Sequence, residues 1–151
     1  MSIPKARTAA LMASPEDAET QFYEAMREGD LERLMAVWAD DDEIVCVHPG
    51  GARLVGPAAI RAGFEAMFVH GGLDVQPGNV RRVHAHASAV HSVVEHVRLL
   101  TPDGPRSGFV VATNVYLKTL AGWRMVAHHA SPGADGEPRE LAAEPSAVVL
   151  H

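Results

Sequence analysis

Two amphipathic helical patterns follow one another near the start of the chain. Ala18, Phe22, Ala25 and Met26 recur at helical spacing. Ahead of them, Ser14-Pro15-Glu16-Asp17 supplies a capping hydroxyl, a proline suited to the first helical position and acids that complement the positive end of the helix dipole. Gly29 closes this segment and Asp30 caps the next, whose apolar stripe is Leu31, Leu34, Met35 and Trp38. The run Asp40-Asp41-Asp42-Glu43 sets negative charge at the negative end of a dipole and reads as a solvated turn. Its spacing is not that of a calcium-binding loop. Ile44 to Val47 forms a short β-branched strand, broken by His48-Pro49-Gly50-Gly51. Gly56-Pro57 then opens a third helix to about Phe68, with Ile60, Phe64 and Met67 or Phe68 inward.

From Leu73 onward the pattern takes the period of strands. Val75 to His84 is a weak strand interrupted by Pro77-Gly78, whereas Ala89 to Leu100 and Gly108 to Thr119 are long. Thr101-Pro102-Asp103-Gly104-Pro105 is a hairpin-type connection, and Ala121-Gly122 turns the chain into a last strand, Trp123 to Ala130. Helices first and long antiparallel strands afterwards define an α+β fold with a curved sheet wrapped around the helical segment. Residues 14–132 form this domain. Residues 1–13 read as a flexible N-terminal segment, and residues 133–151, rich in Glu, Pro and Ala, as a tail that is poorly ordered or docked on a partner.

Composition narrows the function classes. The chain has 151 residues, enough for one hydrophobic core, and a formal net charge of −6 that would repel a phosphate backbone. Arg81-Arg82 is the only adjacent basic pair, so nucleic-acid binding is disfavoured. No run suits a signal peptide or a membrane span, which makes the cytoplasm the expected address. Cys46, the single cysteine, sits in an apolar run and reads as a buried structural thiol. Gly50-Gly51 and Gly71-Gly72 lack the spacing and the lysine of a phosphate-cradling loop.

The order of several local strings resembles a known family. Gly29-Asp30-Leu31 joins two helices, Trp38-Ala39-Asp40-Asp41 ends the second, and a strand closes in His48-Pro49. Together these resemble ketosteroid isomerase and the SnoaL polyketide cyclases of the nuclear transport factor two superfold. The ending Gly122-Trp123-Arg124-Met125-Val126-Ala127-His128-His129-Ala130-Ser131 is similar to the last strand of the association domain of calcium/calmodulin-dependent kinase. The resemblance spans about residues 15 to 132. It implies a cone-shaped barrel of strongly curved, mostly antiparallel sheet around three N-terminal helices, a homodimer, and a pocket at the open end. Because functions within the family range from isomerases to assembly domains, the fold alone does not select one.

Residue by residue, the resemblance puts His48 where ketosteroid isomerase has its proton-abstracting aspartate. A gap-free count puts Phe22 in the place of that enzyme's oxyanion tyrosine, with Tyr23 about 100° away around the helix. The basic pocket positions of the kinase association domain fall on Glu95 and Asn114, which implies no preference for anions. If Asn114 faces the pocket, alternation gives Ala112 and Tyr116 the same face. On the last strand it puts Arg124, Val126 and His128 on one side and Trp123, Met125, Ala127 and His129 on the other, and the resemblance makes the His128 side the pocket side.

The candidate chemistry is a His48–Glu95 acid–base pair in which His48 removes or relays a proton while Glu95 or His128 orients it, with Asn114 donating to a developing enolate and Phe22, Trp38 and Tyr116 near the pocket. Nine histidines raise the question of metal. His84 and His86 share a strand face ~6.6 Å apart, a little far for chelation, and His128 and His129 point opposite ways. A His48, Glu95, His128 set is conceivable but not demanded. His91, His96 and His151 carry no signal, and no metal or cofactor is expected. Two readings remain: a small-molecule-binding domain of unproven activity, or an isomerase, cyclase or dehydratase acting on a small apolar carbonyl compound. Phe22 favours the first and the polar set favours the second.

Overall fold

A computed structural model describes residues 12–142 of the chain. Its helices are α1 (Pro15–Glu28), α2 (Leu31–Val37) and α3 (Pro57–Met67). Its strands are β1 (Val45–Val47), β2 (Arg53–Val55), β3 (Asp74–His84), β4 (Ser88–Thr101), β5 (Gly104–Thr119) and β6 (Gly122–Ala130). The strands form one sheet in the order β2-β1-β6-β5-β4-β3, antiparallel throughout except for the parallel pair β1–β6. The α+β architecture matches expectation, with one qualification of shape: β2 and β3 are edges of an unclosed sheet, not partners in a sealed barrel.

Local signals account for the helix ends. The Ser14 hydroxyl accepts from the Asp17 amide at 3.1 Å, and Asp30 caps α2 through the Arg33 amide at 3.0 Å. Gly29 ends α1 in the left-handed region at φ 67°. Its neighbour in space is Gly72, where an added Cβ would lie 1.9 Å from the Arg27 carbonyl oxygen. Leu73 donates its amide to the Met26 carbonyl at 2.9 Å, so the chain entering β3 is pinned to the end of α1.

Two irregularities bend the strands. β3 shifts register between Gly78 and Arg81, where Asn79 has φ 42°, so Pro77-Gly78 bends the strand without ending it. Between β5 and β6, Val115 pairs with Ala127 but Tyr116 pairs with Met125, leaving Val126 as an extra residue. That bulge reverses the expected alternation, and Met125 is fully buried on the inner face together with His128. The short edge strand β2 was not anticipated, because Arg53–Val55 shows only one partly buried side chain.

The core lies between the helices and the inner face of the sheet. It includes Phe22, Tyr23, Leu34, Val37, Ile60, Phe64, Val93, Tyr116 and Met125. Each such side chain contributes ~1.5–3 kcal/mol through burial. Met12, placed by the sequence in a flexible segment, is buried and accepts the Trp123 amide at 2.8 Å. The rest of that segment lies outside the described residues. At the other end, Ala134 exchanges two backbone hydrogen bonds with Phe109, at 2.7 and 2.8 Å, so the start of the supposed tail docks on its own β5. No helix among the described residues is long and apolar enough to cross a membrane.

Candidate functional site

The inner face carries a straight row of polar side chains. His91 on β4 pairs with Asn114 on β5, Asn114 with His128 on β6, and His128 with Cys46 on β1. Side chains at paired positions point the same way, so four consecutive strands present these groups to the interior. All four are buried.

Tyr23 reaches into this row from α1. His128 Nδ1 lies 2.5 Å from Asn114 Oδ1, Asn114 Nδ2 donates to Tyr23 Oη at 3.0 Å, and Tyr23 Oη donates to Glu95 Oε2 at 2.6 Å. With the Asn114 amide nitrogen committed to Tyr23, its carbonyl oxygen must accept, so His128 carries its proton on Nδ1 and leaves Nε2 with a lone pair. Every donor in the chain points towards Glu95. Oε2 of Glu95 is occupied by Tyr23, and Oε1 has no hydrogen-bond partner among the described residues.

Both ends of this chain open on one cavity of about 380 Å³. Its wall is mainly apolar, with Met26, Met67, Leu73, Val75 and Val97 among its residues; Glu95, His48 and His128 supply the polar groups, and Arg106 and Asp135 stand at exposed positions. His48 follows β1 directly. Its ring stands edge-on to Phe64 at 4.8 Å and 6.3 Å from the His128 ring, with Nε2 3.7 Å from Cys46 Sγ.

Burial dominates the electrostatics. It pushes the Glu95 carboxyl up to about 7, against the opposing Tyr23 hydrogen bond. It pulls His128 down to about 3, helped by the nearby His48 and His129, and it lowers His48 as well. Both imidazoles are therefore neutral at neutral pH, while Glu95 is poised between its forms. Burial, with the Glu95 charge added, raises Tyr23 well above the ordinary phenol value, and it pushes the Cys46 thiol up to about 12.

The structure thus brings His48, Glu95 and His128 to one cavity and separates the other expected residues from it. Asn114 is fully buried, gives an amide hydrogen to Tyr23 and its oxygen to His128, and does not line the cavity, so it is not placed to donate to an enolate there. Phe22 packs behind the wall, 5.2 Å from the His128 ring and 5.1 Å from Tyr23. Tyr116 lies 5.0 Å from the His91 ring, away from the cavity lining. Trp38 bridges to Met125 on β6 and borders shallow hollows with Ala39 and Asp40, not this cavity. The phenol that the residue count denied to position 22 comes from Tyr23, but it serves Glu95. The parity of β4 carried one unused signal: His91 has the same facing as Glu95, two inward positions away.

That histidine anchors a second polar cluster outside the cavity. His91 Nδ1 lies 2.9 Å from Glu19 Oε1, His91 Nε2 lies 3.0 Å from His84 Nε2, and Arg82 donates to Glu19 Oε2 at 3.0 Å. Burial alone would raise the Glu19 carboxyl, but hydrogen bonds from His91 and Arg82 outweigh it and hold the group below its ordinary value.

A strongly bent sheet laid over three helices, with a polar-floored apolar cavity inside, defines the class as a pocket-forming α+β domain of the nuclear transport factor two-like type. Residues 16–135 match the model of the SnoaL-like domain, and the chain belongs to that family. Three similar solved structures extend the comparison. A protein from Thiobacillus denitrificans, described as a "Putative calcium/calmodulin-dependent protein kinase type II association domain", is 40% identical over 81% of this chain and 97% of its own, with a TM-score of 0.72. A "putative dehydratase from the NTF2-like family" of Streptomyces avermitilis is 28% identical over 83% and 97%, at 0.71. An NTF2-like protein with a cystatin-like fold from Novosphingobium aromaticivorans, 19% identical over 85% and 82% at 0.65, shares the fold alone. No curated protein matches the sequence.

Proposed function

We propose that this SnoaL-like domain binds a small, largely apolar carbonyl compound in its cavity and moves a proton on it, as an isomerase, cyclase or dehydratase does. One observation carries the reading: a carboxyl group held at about 7 on the wall of an apolar cavity, with one oxygen tied to Tyr23 and the other unclaimed. A base with that value is effective near neutral pH. In this scheme Glu95 takes the proton. His48, neutral through burial, donates to the substrate oxygen, and His128 Nε2 accepts from a substrate hydroxyl. The roles of His48 and Glu95 are thereby exchanged relative to the sequence expectation, because only Glu95 has its free oxygen and its raised value together.

Binding without chemistry is the second reading, favoured by the absorption of Asn114 into the internal hydrogen-bond chain. Proton NMR in D2O with a panel of small cyclic ketones separates the two. Thermal-shift binding plus deuterium uptake next to the carbonyl, lost in Glu95→Gln, supports the enzyme. Binding with no uptake leaves a ligand-binding domain, and neither effect across the panel removes the proposal. His48→Ala with unchanged far-UV circular dichroism should also stop exchange, and undiminished exchange would exclude His48.

A homodimer is proposed as the assembly. Its support is the outer face of the sheet, where Val90 pairs with Val115 and Val94 with Val111, and the naming of the 40% identical relative as an association domain. The proposed address is the cytoplasm, a reducing compartment that suits a lone buried thiol.

A further inference from the structure

The cluster at the β3–β4 hairpin has the donor set and the orientation of a metal centre. The geometry points to a divalent-cation site of the zinc class, formed by His84 Nε2, His91 Nε2 and a Glu16 carboxylate oxygen, with Glu19 as the group that orients His91. The three ligand atoms lie within 4.8 Å of one another. His84 and His91 Nε2 are 3.0 Å apart, and Glu16 Oε1 is 3.3 Å from His84 Nε2. Ligands at zinc bond lengths in a tetrahedron are separated by ~3.3 Å, so two of the three edges already approach the required spacing. Glu16 is half-exposed on the first turn of α1 and is free to close the third.

Proton inventory leads to the same place. Arg82 donates to one oxygen of Glu19 at 3.0 Å and pairs with it as an ion pair. His91 Nδ1 therefore donates to Glu19 Oε1, and the Nε2 of this fully buried ring is left as a lone pair. That lone pair converges with His84 Nε2 and an anionic Glu16 oxygen. A single proton on His84 Nε2 can be directed at only one of the two acceptors, whereas a divalent cation engages all three atoms. A carboxylate behind a ligating histidine is the usual device for fixing its tautomer and raising its basicity.

Topology builds the site from two elements. Arg82 pairs with His91 across β3 and β4, so His84, two residues further along β3, is the diagonal neighbour of His91 on the same face. Glu16 and Glu19 are three apart on α1 and share one helix face. The ion would clamp the start of α1 to the hairpin, with water in the fourth position, since His84 is exposed. None of Glu16, Glu19, His84 and His91 lines the cavity, so the site is separate from the proposed proton-transfer chemistry. The sequence paired His84 with His86, its neighbour along one strand, and missed the cross-strand partner.

Titrating Zn2+ alone into chelator-treated full chain, against a chromophoric competitor, tests the site. The expected result is one equivalent bound with Kd below about 1 µM, weakened about tenfold or more in both His84→Ala and Glu16→Gln, and unchanged in His86→Ala. Cobalt substitution should give the visible bands of a tetrahedral ion. Far-UV circular dichroism checks folding. Should His84→Ala fail to fold, Glu16→Gln, a change at a half-exposed helix start, decides. Absence of a submicromolar equivalent overturns the site, as does affinity unchanged in the folded variants.

Discussion

Replacing Glu95 by glutamine isolates the electrostatic burden of the cavity. The amide keeps the shape of the side chain and an oxygen for Tyr23, and it removes only the charge. Below about pH 4.5 the carboxyl is protonated in the folded and unfolded chains alike, and it does not affect stability. Between 4.5 and about 7 the folded chain still holds a proton that the unfolded chain has released, so wild-type stability falls as pH rises. Above about 7 the loss is complete. From 4.5 to about 7, at about 1.4 kcal/mol per pH unit, it amounts to ~3 kcal/mol. His128 slopes the opposite way between about 3 and 6.5, but it is common to both chains and largely subtracts out. Urea denaturation from pH 4.5 to 8.5 should therefore show Glu95→Gln gaining ~3 kcal/mol on wild type across the range, with most of the gain complete by pH 7.5. Two parallel stability curves would refute the reasoning. They would mean that water reaches Glu95 freely and that its carboxyl titrates in the ordinary range.

Two further predictions concern the same interior, and a third concerns the junction of α1 with β3. Tyr23→Phe strands the Asn114 amide and removes the only donor to Glu95 among the described residues; it should destabilise the fold by ~2–4 kcal/mol in denaturant and move the Glu95 carboxyl upward in a 13C NMR titration. His128, pulled down to about 3 by burial, should keep its neutral-ring resonance to about pH 4. Its contribution to stability, full above 6.5, should drain away as pH falls through that interval, and a ring that titrates near 6 would contradict its placement. Gly72→Ala forces a Cβ into the Arg27 carbonyl and should lower stability by more than ~2 kcal/mol, measured by thermal and urea unfolding, while a loss below 0.5 kcal/mol would contradict the close packing of α1 on the β3 entry.

Much of the scaffold was legible because its punctuation is local. Ser14-Pro15 and Gly29-Asp30 act within one helical turn, and the long strands are marked by β-branched runs between turn residues. What stayed hidden depends on partners. β2 exists because Val45 and Cys46 offer it a ladder, not because Arg53–Val55 has a pattern of its own. Met125 turned inward because a bulge at Val126 reset the alternation, and nothing in the string Trp123-Arg124-Met125-Val126 announces it. At the site, His48, Glu95 and His128 were singled out, but Tyr23 was set aside by a residue count that ignores how far a phenol reaches. His91 and Glu19 went unpaired because they are separated by 72 residues and meet only when α1 lies on β4.

The polar row across β4, β5, β6 and β1 also bears on how the chain finds its native pairing. Val90, Val93, Val94, Val97, Val110, Val111 and Val115 are apolar on both faces of the two longest strands, so by hydrophobicity alone a slip of one residue between β4 and β5 would be weakly opposed. The row removes that degeneracy. A slipped β5 would turn Asn114 outward, depriving His128 of its acceptor and Tyr23 of its donor while the Tyr23–Glu95 bond survives, a penalty of ~1–3 kcal/mol for each stranded group. The same hydrogen bonds that prepare the cavity thus act as a registration mark for the sheet, favouring the native pairing over a slipped one.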